Sequence, residues 1–550
     1  MSSIEKYDEL LATLVDNGNF DAAAREISAI WDRFEFSKIG INRALLFCQL
    51  LMKVDNLQLA LSIAQRVIDE DDRDYRPVEV IFWVMFKSRQ YSDAEIALTK
   101  LVNALGQDKQ GRYRSYLCWK VILSNVLSRH EVVINIWDQD LNRDPMALTE
   151  RHDEVFYAVV SAYIAFDRLI DARHTVDTFA GMISGKELNA LMVLSYLNRM
   201  EGNYDKAIEL YDEAANLYPS NKDVIWNRAL TLLGAGNVTR GFSDYEIRWD
   251  WPDFPSPKRK FNQKRGTPQD KFFNKNVLIW GEQGLGDEIM FLSCLPYFLS
   301  VARCASVVLE VNPKLVGIYE RIYPELVVRE HGPLDSSGIE YEEFDFQIPV
   351  GSLPRFLGEK IFDESEKCQR YLSFAVAEKQ DVLGEFYRKF SVNIGLCWRS
   401  HHLSNSRVGF YLGLGAVEAI LRSIPEDVGV IICQYSLSDN ERARLREYPN
   451  VFVPEEDLFT DVYTNALYVS CCDFVLTAGT NVNYLSGLTG VPSMSWGPRD
   501  AWSTLGQDRI PWFPTMGAVF CDSGWDKGSL VLNLKRGLKG VISRLQNYKP

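Results

Sequence analysis

The apolar pattern of this chain changes period once, and that change fixes the class of fold open to it. Over residues 1–250 proline is sparse and apolar residues recur at three- and four-residue spacing, the pattern of helices with one buried stripe. From Asn276 onward short β-rich runs alternate with helical stretches. The predicted strands are Val277–Trp280, Ser306–Glu310, Phe346–Ile348, Val392–Cys397, Val428–Cys433, Val451–Val453, Phe474–Thr477 and Ser493–Trp496. Such alternation predicts parallel sheets of doubly wound, Rossmann-like type. The strands suffice for two sheets, with the break near Leu372 to Phe390. Between the halves, Trp249 to Phe273 carries prolines and a basic cluster. Proline cannot continue a helix and disfavours helix in the residue before it. The expected organisation is therefore helical over 1–250, a linker over 251–273 whose basic cluster is either solvated or leans on the acidic body, and α/β lobes over 274–385 and 386–550.

Length and charge bound the function. A chain of 550 residues is too long for one ordinary core. A net charge of −14 argues against general nucleic-acid affinity, which rests on neutralising phosphates. Ten cysteines without a CxxC pair read as small apolar residues in a reducing compartment. The start, MSSIEKYDELLATLVDNG, is charged and amphipathic, unlike a secretory signal. No apolar run approaches the roughly 20 residues that span a bilayer. A cytoplasmic protein without a transmembrane segment is the expectation.

The helical part repeats. Gly202-Asn203-Tyr204-Asp205-Lys206-Ala207 is followed by Tyr211, Ala214 and Pro219, the second-helix pattern of tetratricopeptide repeats. Asn56 to Ala60 and Gln90 to Ala94 restate it, with the alanines 34 apart, and Ala172 precedes Ala207 by 35. Gly18-Asn19-Phe20-Asp21-Ala22 is a further unit, and Val133 marks one between Ala94 and Ala172. An irregular helical bundle is the alternative. Stacked repeats present extended concave surfaces, which points to a protein partner.

The chemistry-bearing string is Gly281-Glu282-Gln283-Gly284-Leu285-Gly286-Asp287-Glu288. It follows a strand and opens a helix. Glycines let backbone turn sharply and approach a ligand, and the helix start offers unpaired N–H groups. Asp287 is either a helix cap or a general base, with Glu288 and Glu282 as substitutes for the second role. In the last lobe, Arg399, Gln434 and Gly479-Thr480-Asn481 each follow a predicted strand, where α/β folds place ligand groups. Arg399 suits a phosphate or an ion pair, Gln434 a ribose or base, and Thr480 a ligand contact or an N-cap.

Together the strings WGEQGLGDEIMF (280–291), QIPVGSLPRF (347–356), IGLCWRS (394–400), LSGLTGVP (485–492) and LGQDRIPWFPTM (505–516) carry a family resemblance. The chain resembles bacterial tetratricopeptide-repeat proteins with a C-terminal glycosyltransferase domain of GT-B type. That domain is similar to the family 9 heptosyltransferases and more distantly to O-GlcNAc transferase. The final repeat, ending in GFSDYEIRW at 241–249, matches the segment that joins repeats to this transferase. The resemblance implies an inverting, metal-independent transfer from a nucleotide sugar to a protein acceptor, such as flagellin or another surface protein. It implies Asp287 as base, Arg399 on the donor phosphates, the acceptor on the first lobe and the donor on the second. No cofactor beyond the nucleotide-sugar donor is expected. The chain departs from the heptosyltransferase pattern at Gly479 and Tyr484, where that family carries Asp and His. This leaves ADP-heptose in doubt as donor and keeps a non-catalytic scaffold, or a small-molecule or lipopolysaccharide transferase, as alternatives. His401 and His402 beside Arg399 could replace the lost basic group.

Overall fold

The computed structural model describes residues 5–71, 74, 76–105, 112–143, 152–179, 182, 185–331, 343–363, 369–401, 410–498, 501–521 and 527–548. These divide into two compact units, Met1–Val193 and Leu194–Pro550.

Helices fill both the first unit and the start of the second, from Glu5–Asp16 to Val238–Asp244. Consecutive helices pack in pairs, such as Arg76–Lys87 on Tyr91–Leu105 and Lys222–Gly234 on Val238–Asp244. The repeat has a backbone basis. Gly18, Asp55, Arg89, Ser128, Asp167, Gly202 and Gly236 all have positive φ, between 55° and 84°. Each stands five residues before a small or β-branched residue: Ala23, Ala60, Ala94, Val133, Ala172, Ala207 and Gly241. The first six of these are fully buried, and a Cβ on Gly241 would meet Leu233 Cδ2 at 2.7 Å. The left-handed residue turns the chain back, and the small residue lets the second helix approach the first. Intervals between these small residues run from 34 to 39. The assignment of Val133 to the missing unit holds. In the first unit, which Gly18-Asn19-Phe20-Asp21-Ala22 opens, the small buried residue is Ala23.

Among the described residues eleven strands form two sheets. They are β1 (Lys264–Arg265), β2 (Asn276–Trp280), β3 (Ser306–Val311), β4 (Val327–Glu330), β5 (Phe346–Pro349), β6 (Val392–Cys397), β7 (Val428–Ile432), β8 (Val451–Phe452), β9 (Phe474–Ala478), β10 (Ser493–Pro498) and β11 (Met516–Cys521). The first sheet runs β1-β5-β2-β3-β4 and the second β11-β10-β9-β6-β7-β8, and neighbouring strands pair parallel. The eight predicted strands are present. β1, β4 and β11 escape the sequence reading because they are edge strands: β1 has two residues, β4 is half exposed, and β11 carries Gly517.

Alternation along β6 sorts the cores of the second unit. Val392, Ile394, Leu396 and Trp398 face one core with the last helix, Lys527–Tyr548. Cys397 faces the other, which also takes Val277 and Ile279 of β2 and Leu233, Val238 and Phe242 of the preceding helices. Among the described residues one stretch, Leu285–Ala302, is long and apolar enough to cross a membrane, but 67% of it is buried. It is also broken into helices Leu285–Leu292 and Leu295–Ala302.

Left-handed backbone costs a non-glycine residue about 1–2 kcal/mol, partly offset by the extra freedom glycine gives the unfolded chain. Ser128→Gly is therefore expected to stabilise the protein by about 0.5–1 kcal/mol. Chemical denaturation of the full chain, with Ser124→Gly inside the preceding helix as a destabilised control, checks this.

Candidate functional site

Strand order reverses between β2 and β5 in the first sheet and between β6 and β9 in the second. Open parallel sheets bind ligands outside strand carboxyl ends at such reversals. The glycine loop leaves β2, Trp398-Arg399 leaves β6, and Gly479-Thr480-Asn481 leaves β9.

Two helices that begin at these loops meet. Helix Leu285–Leu292 follows the glycine loop and helix Asn481–Thr489 follows Thr480. A Cβ at Gly286 would lie 3.3 Å from Tyr484 Cδ2 and 3.6 Å from the Asn481 Cα. Gly286 thus lets the first turns of both helices touch. Both N-termini carry partial positive charge and free N–H groups, which suit an anion.

Asp287 sits half-buried in the first turn, and its Oδ2 accepts from the Gly284 N–H at 3.3 Å. That is a long capping bond. The alternative carboxylates are engaged. Glu282 is 3% exposed and both its oxygens take the Arg248 guanidinium, at 2.9 and 2.8 Å, with the Gly351 N–H at 2.8 Å. Glu288 is buried, accepts from the Asn312 N–H at 2.8 Å, and lies 3.8 Å from His331 Nε2. Burial pushes its carboxyl above the ordinary value. Asp287 is the one carboxylate of the three that is not buried.

Gly281 and Gly284 serve different ends. A Cβ at Gly281 would fall 2.4 Å from His331 Nε2 and 2.5 Å from Glu288 Oε1. At Gly284, where φ is −91°, the nearest atom would be Asp287 Oδ2 at 3.3 Å.

On the second sheet, Arg399 Nη2 donates to Glu441 at 2.7 and 2.9 Å and to the Ser436 carbonyl at 3.1 Å. Burial raises the Glu441 pKa, but the Ser438 N–H and the Arg399 guanidinium outweigh it and hold the carboxyl below its ordinary value. Gln434, 2% exposed, spends its amide inside the protein. Its Oε1 accepts from the Trp398 and Arg399 N–H groups at 2.9 and 3.0 Å, and its Nε2 donates to the Arg399 and Tyr435 carbonyls. With both amide protons and the oxygen used, the side chain ties the end of β6 to the end of β7. Thr480 stands at the N-cap position without a capping bond, and its hydroxyl lies 3.3 Å from Thr477 Oγ1 and 3.6 Å from Cys397 Sγ. Gly479 is exposed, and Asn481 Oδ1 is buried with no hydrogen-bond partner among the described residues. His401 bonds Ser436 at 2.9 Å and stacks on Phe459 at 4.3 Å, while His402 lies outside the described residues. Among the described residues no group of three or more His, Cys, Asp or Glu side chains is placed to hold a metal ion.

The sequence reading missed the support of the glycine loop. Arg248, 0% exposed, lies in the 3₁₀ turn Tyr245–Trp249 and also pairs with Glu246 at 2.9 Å and donates to Ser352 at 3.0 Å. Gln283 donates to the Tyr245 hydroxyl at 2.9 Å, and Ser256 Oγ accepts the Gln283 N–H at 2.6 Å. The basic cluster divides: Lys258 and Lys260 are exposed, as a solvated linker requires, whereas the Arg259 side chain is buried 2.7 Å from Glu310 of β3. The string GFSDYEIRW carried this signal, but a lone Arg in a sequence does not name its partner.

No family model matches the chain. Over 310 residues it is 27% identical to Protein FlbA of Caulobacter vibrioides, covering 52% of this chain and 50% of that protein. The chain thus spans about half the length of the curated relative it matches. Among solved structures, E. coli ADP-heptose LPS heptosyltransferase II aligns at 12% identity and TM-score 0.33, over 48% of this chain and 99% of that one. A tetratricopeptide repeat protein from Parabacteroides merdae aligns at 17% identity and TM-score 0.29, over 38% and 78%. Scores this low carry no argument of their own. Both groups named from the motifs are nonetheless represented.

Filling Gly281 forces the buried Glu288–His331 pair to move. Gly281→Ala is expected to lose about 1–3 kcal/mol of stability, the usual cost of overpacking, whereas Gly284→Ala stays within about 0.5 kcal/mol. Urea denaturation of the two variants reads the difference.

Proposed function

We propose that this protein is a glycosyltransferase of GT-B type that moves a sugar from a nucleotide-activated donor to a protein acceptor held by its helical repeats. The meeting of two helix N-termini at Gly286, one from each sheet and each at a strand-order reversal, carries the reading. It puts an anion-favouring pair of helix starts beside Asp287. In this reading Asp287 takes the proton from an acceptor hydroxyl as it attacks the anomeric carbon. The N–H groups at Thr480 and Asn481 stabilise charge growing on the leaving diphosphate. Arg399 joins them by exchanging Glu441 for a phosphate, and Gln434 acts by fixing the Arg399 backbone. A surface protein such as flagellin is the proposed class of acceptor, and inversion the proposed stereochemistry.

A non-catalytic scaffold is the second reading. Two observations favour it: the Arg399 guanidinium is already bound by Glu441, and Gly479 and Tyr484 supply neither the acid nor the base of the heptosyltransferase pattern.

Thermal-shift screening of UDP-, GDP-, ADP- and CMP-activated sugars identifies a donor, because a ligand that binds the folded state raises Tm. With that donor, Asp287→Asn is expected to lower turnover ~100- to 10,000-fold without changing donor affinity. Arg399→Ala is expected to weaken donor binding by ~1.5–3 kcal/mol. A folded Asp287→Asn protein with wild-type turnover rejects the base assignment. If no nucleotide sugar shifts Tm, the scaffold reading prevails. A fragment from Leu194 onward keeps the second compact unit whole, and it is expected to hydrolyse donor without glycosylating native protein.

A further inference from the structure

The glycine loop contains a strained residue. Gln283 has φ of +64°, a left-handed conformation for a side chain with no special tolerance of it. Such backbone persists only where its surroundings over-determine it, and it collects at functional sites. Here three contacts from one short segment fasten the strained residue and its neighbour. Tyr245 takes the Gln283 side chain, Ser256 takes the Gln283 N–H, and Arg248 grips Glu282 with two hydrogen bonds. All three residues precede the first sheet, at the end of the last helical repeat and just after it. Asp287 Oδ2 bonds the N–H of Gly284, the residue that follows Gln283. Rotation of the peptide at 283–284 would swing that N–H away and release the carboxylate.

We propose that Tyr245, Arg248 and Ser256 form a brace that holds the 281–284 loop in its strained form, and that these are the positioning residues for Asp287. This rests on the reading of Asp287 as base. The brace makes the end of the repeat array part of the catalytic machinery rather than a tether.

Tyr245→Phe, Ser256→Ala and Arg248→Lys are made in the full chain. The apolar double variant Arg248→Met/Glu282→Met is added because Arg248→Met alone leaves a buried carboxylate unpaired. Amide hydrogen exchange over 281–288 is read first, since it needs no substrate. Tyr245→Phe with Ser256→Ala is expected to speed exchange in this loop at least tenfold, with exchange in β6 and β9 unchanged. Unchanged loop exchange overturns the brace. Turnover with the donor found by thermal shift is read second. The brace variants are expected to lower kcat 10- to 100-fold with donor affinity and acceptor KM within twofold. Adding Asp287→Asn to them should lower kcat no further than Asp287→Asn alone, since both act through one group. Multiplying losses, or loosened exchange with wild-type kcat, overturn the positioning role. Wild-type turnover of Asp287→Asn instead overturns the base assignment, and the exchange result still decides whether the brace exists.

Discussion

The buried pair of Arg248 and Glu282 holds the second unit together at its most demanding point. Both side chains are excluded from solvent, and each charge is matched by further bonds, to Glu246 and Ser352 on one side and the Gly351 N–H on the other. Burial opposes the guanidinium charge, and the two carboxylates outweigh it and raise its pKa. An isolated buried ion is costly, and removing one member of such a pair typically loses ~3–5 kcal/mol. The pair therefore fixes how the last helical turn, the end of β2 and the end of β5 meet. The strand-order reversal of the first sheet, where a ligand would sit, is built on that junction.

Around it the segment after the helices becomes structural. Arg259 neutralises Glu310 with Arg329, and its guanidinium lies over the rings of Phe261 and Trp280. Trp249 packs on Trp280, and Trp226 stacks on Trp251 at 4.6 Å. Prolines end the helices here, but the chain that follows seals the solvent side of β2. A proline- and lysine-rich composition describes a linker and equally well describes an irregular cover that buries one arginine, Arg259.

The second sheet shows the same principle at its own reversal. Gln434 is the group a sequence reader assigns to a ligand, because it follows a strand at the correct end of the sheet. Its amide instead closes the gap between the ends of β6 and β7, where backbone N–H groups would otherwise be orphaned. Position at a strand's carboxyl end marks the neighbourhood of a site. Which side chain faces the crevice depends on pleat and on what the neighbouring strand leaves unsatisfied.

Local physics made the helical half and the strand–helix alternation legible. Apolar period distinguishes helix from strand within a few residues, and the small residue of each repeat recurs because paired helices need it there. The glycine loop was legible for the same reason: three glycines in six residues after an apolar run leave few alternatives. Edge strands such as β1 and β11 were not legible, since their pairing partners lie some 80 and 20 residues away and their own residues carry little pattern. Nor was the partner of any charged group. The sequence placed Arg248, Arg259, Arg399 and Glu441 on the chain, but a charge takes whatever counter-ion the fold brings within about 3 Å, and only tertiary structure decides that distance. By itself the sequence determined the elements, their order and the loops that could hold a ligand. Tertiary structure alone decided that Glu282 and Glu288 are buried and committed within the protein, that Arg399 rests on Glu441, and that Asp287 stands half-buried where two helices begin.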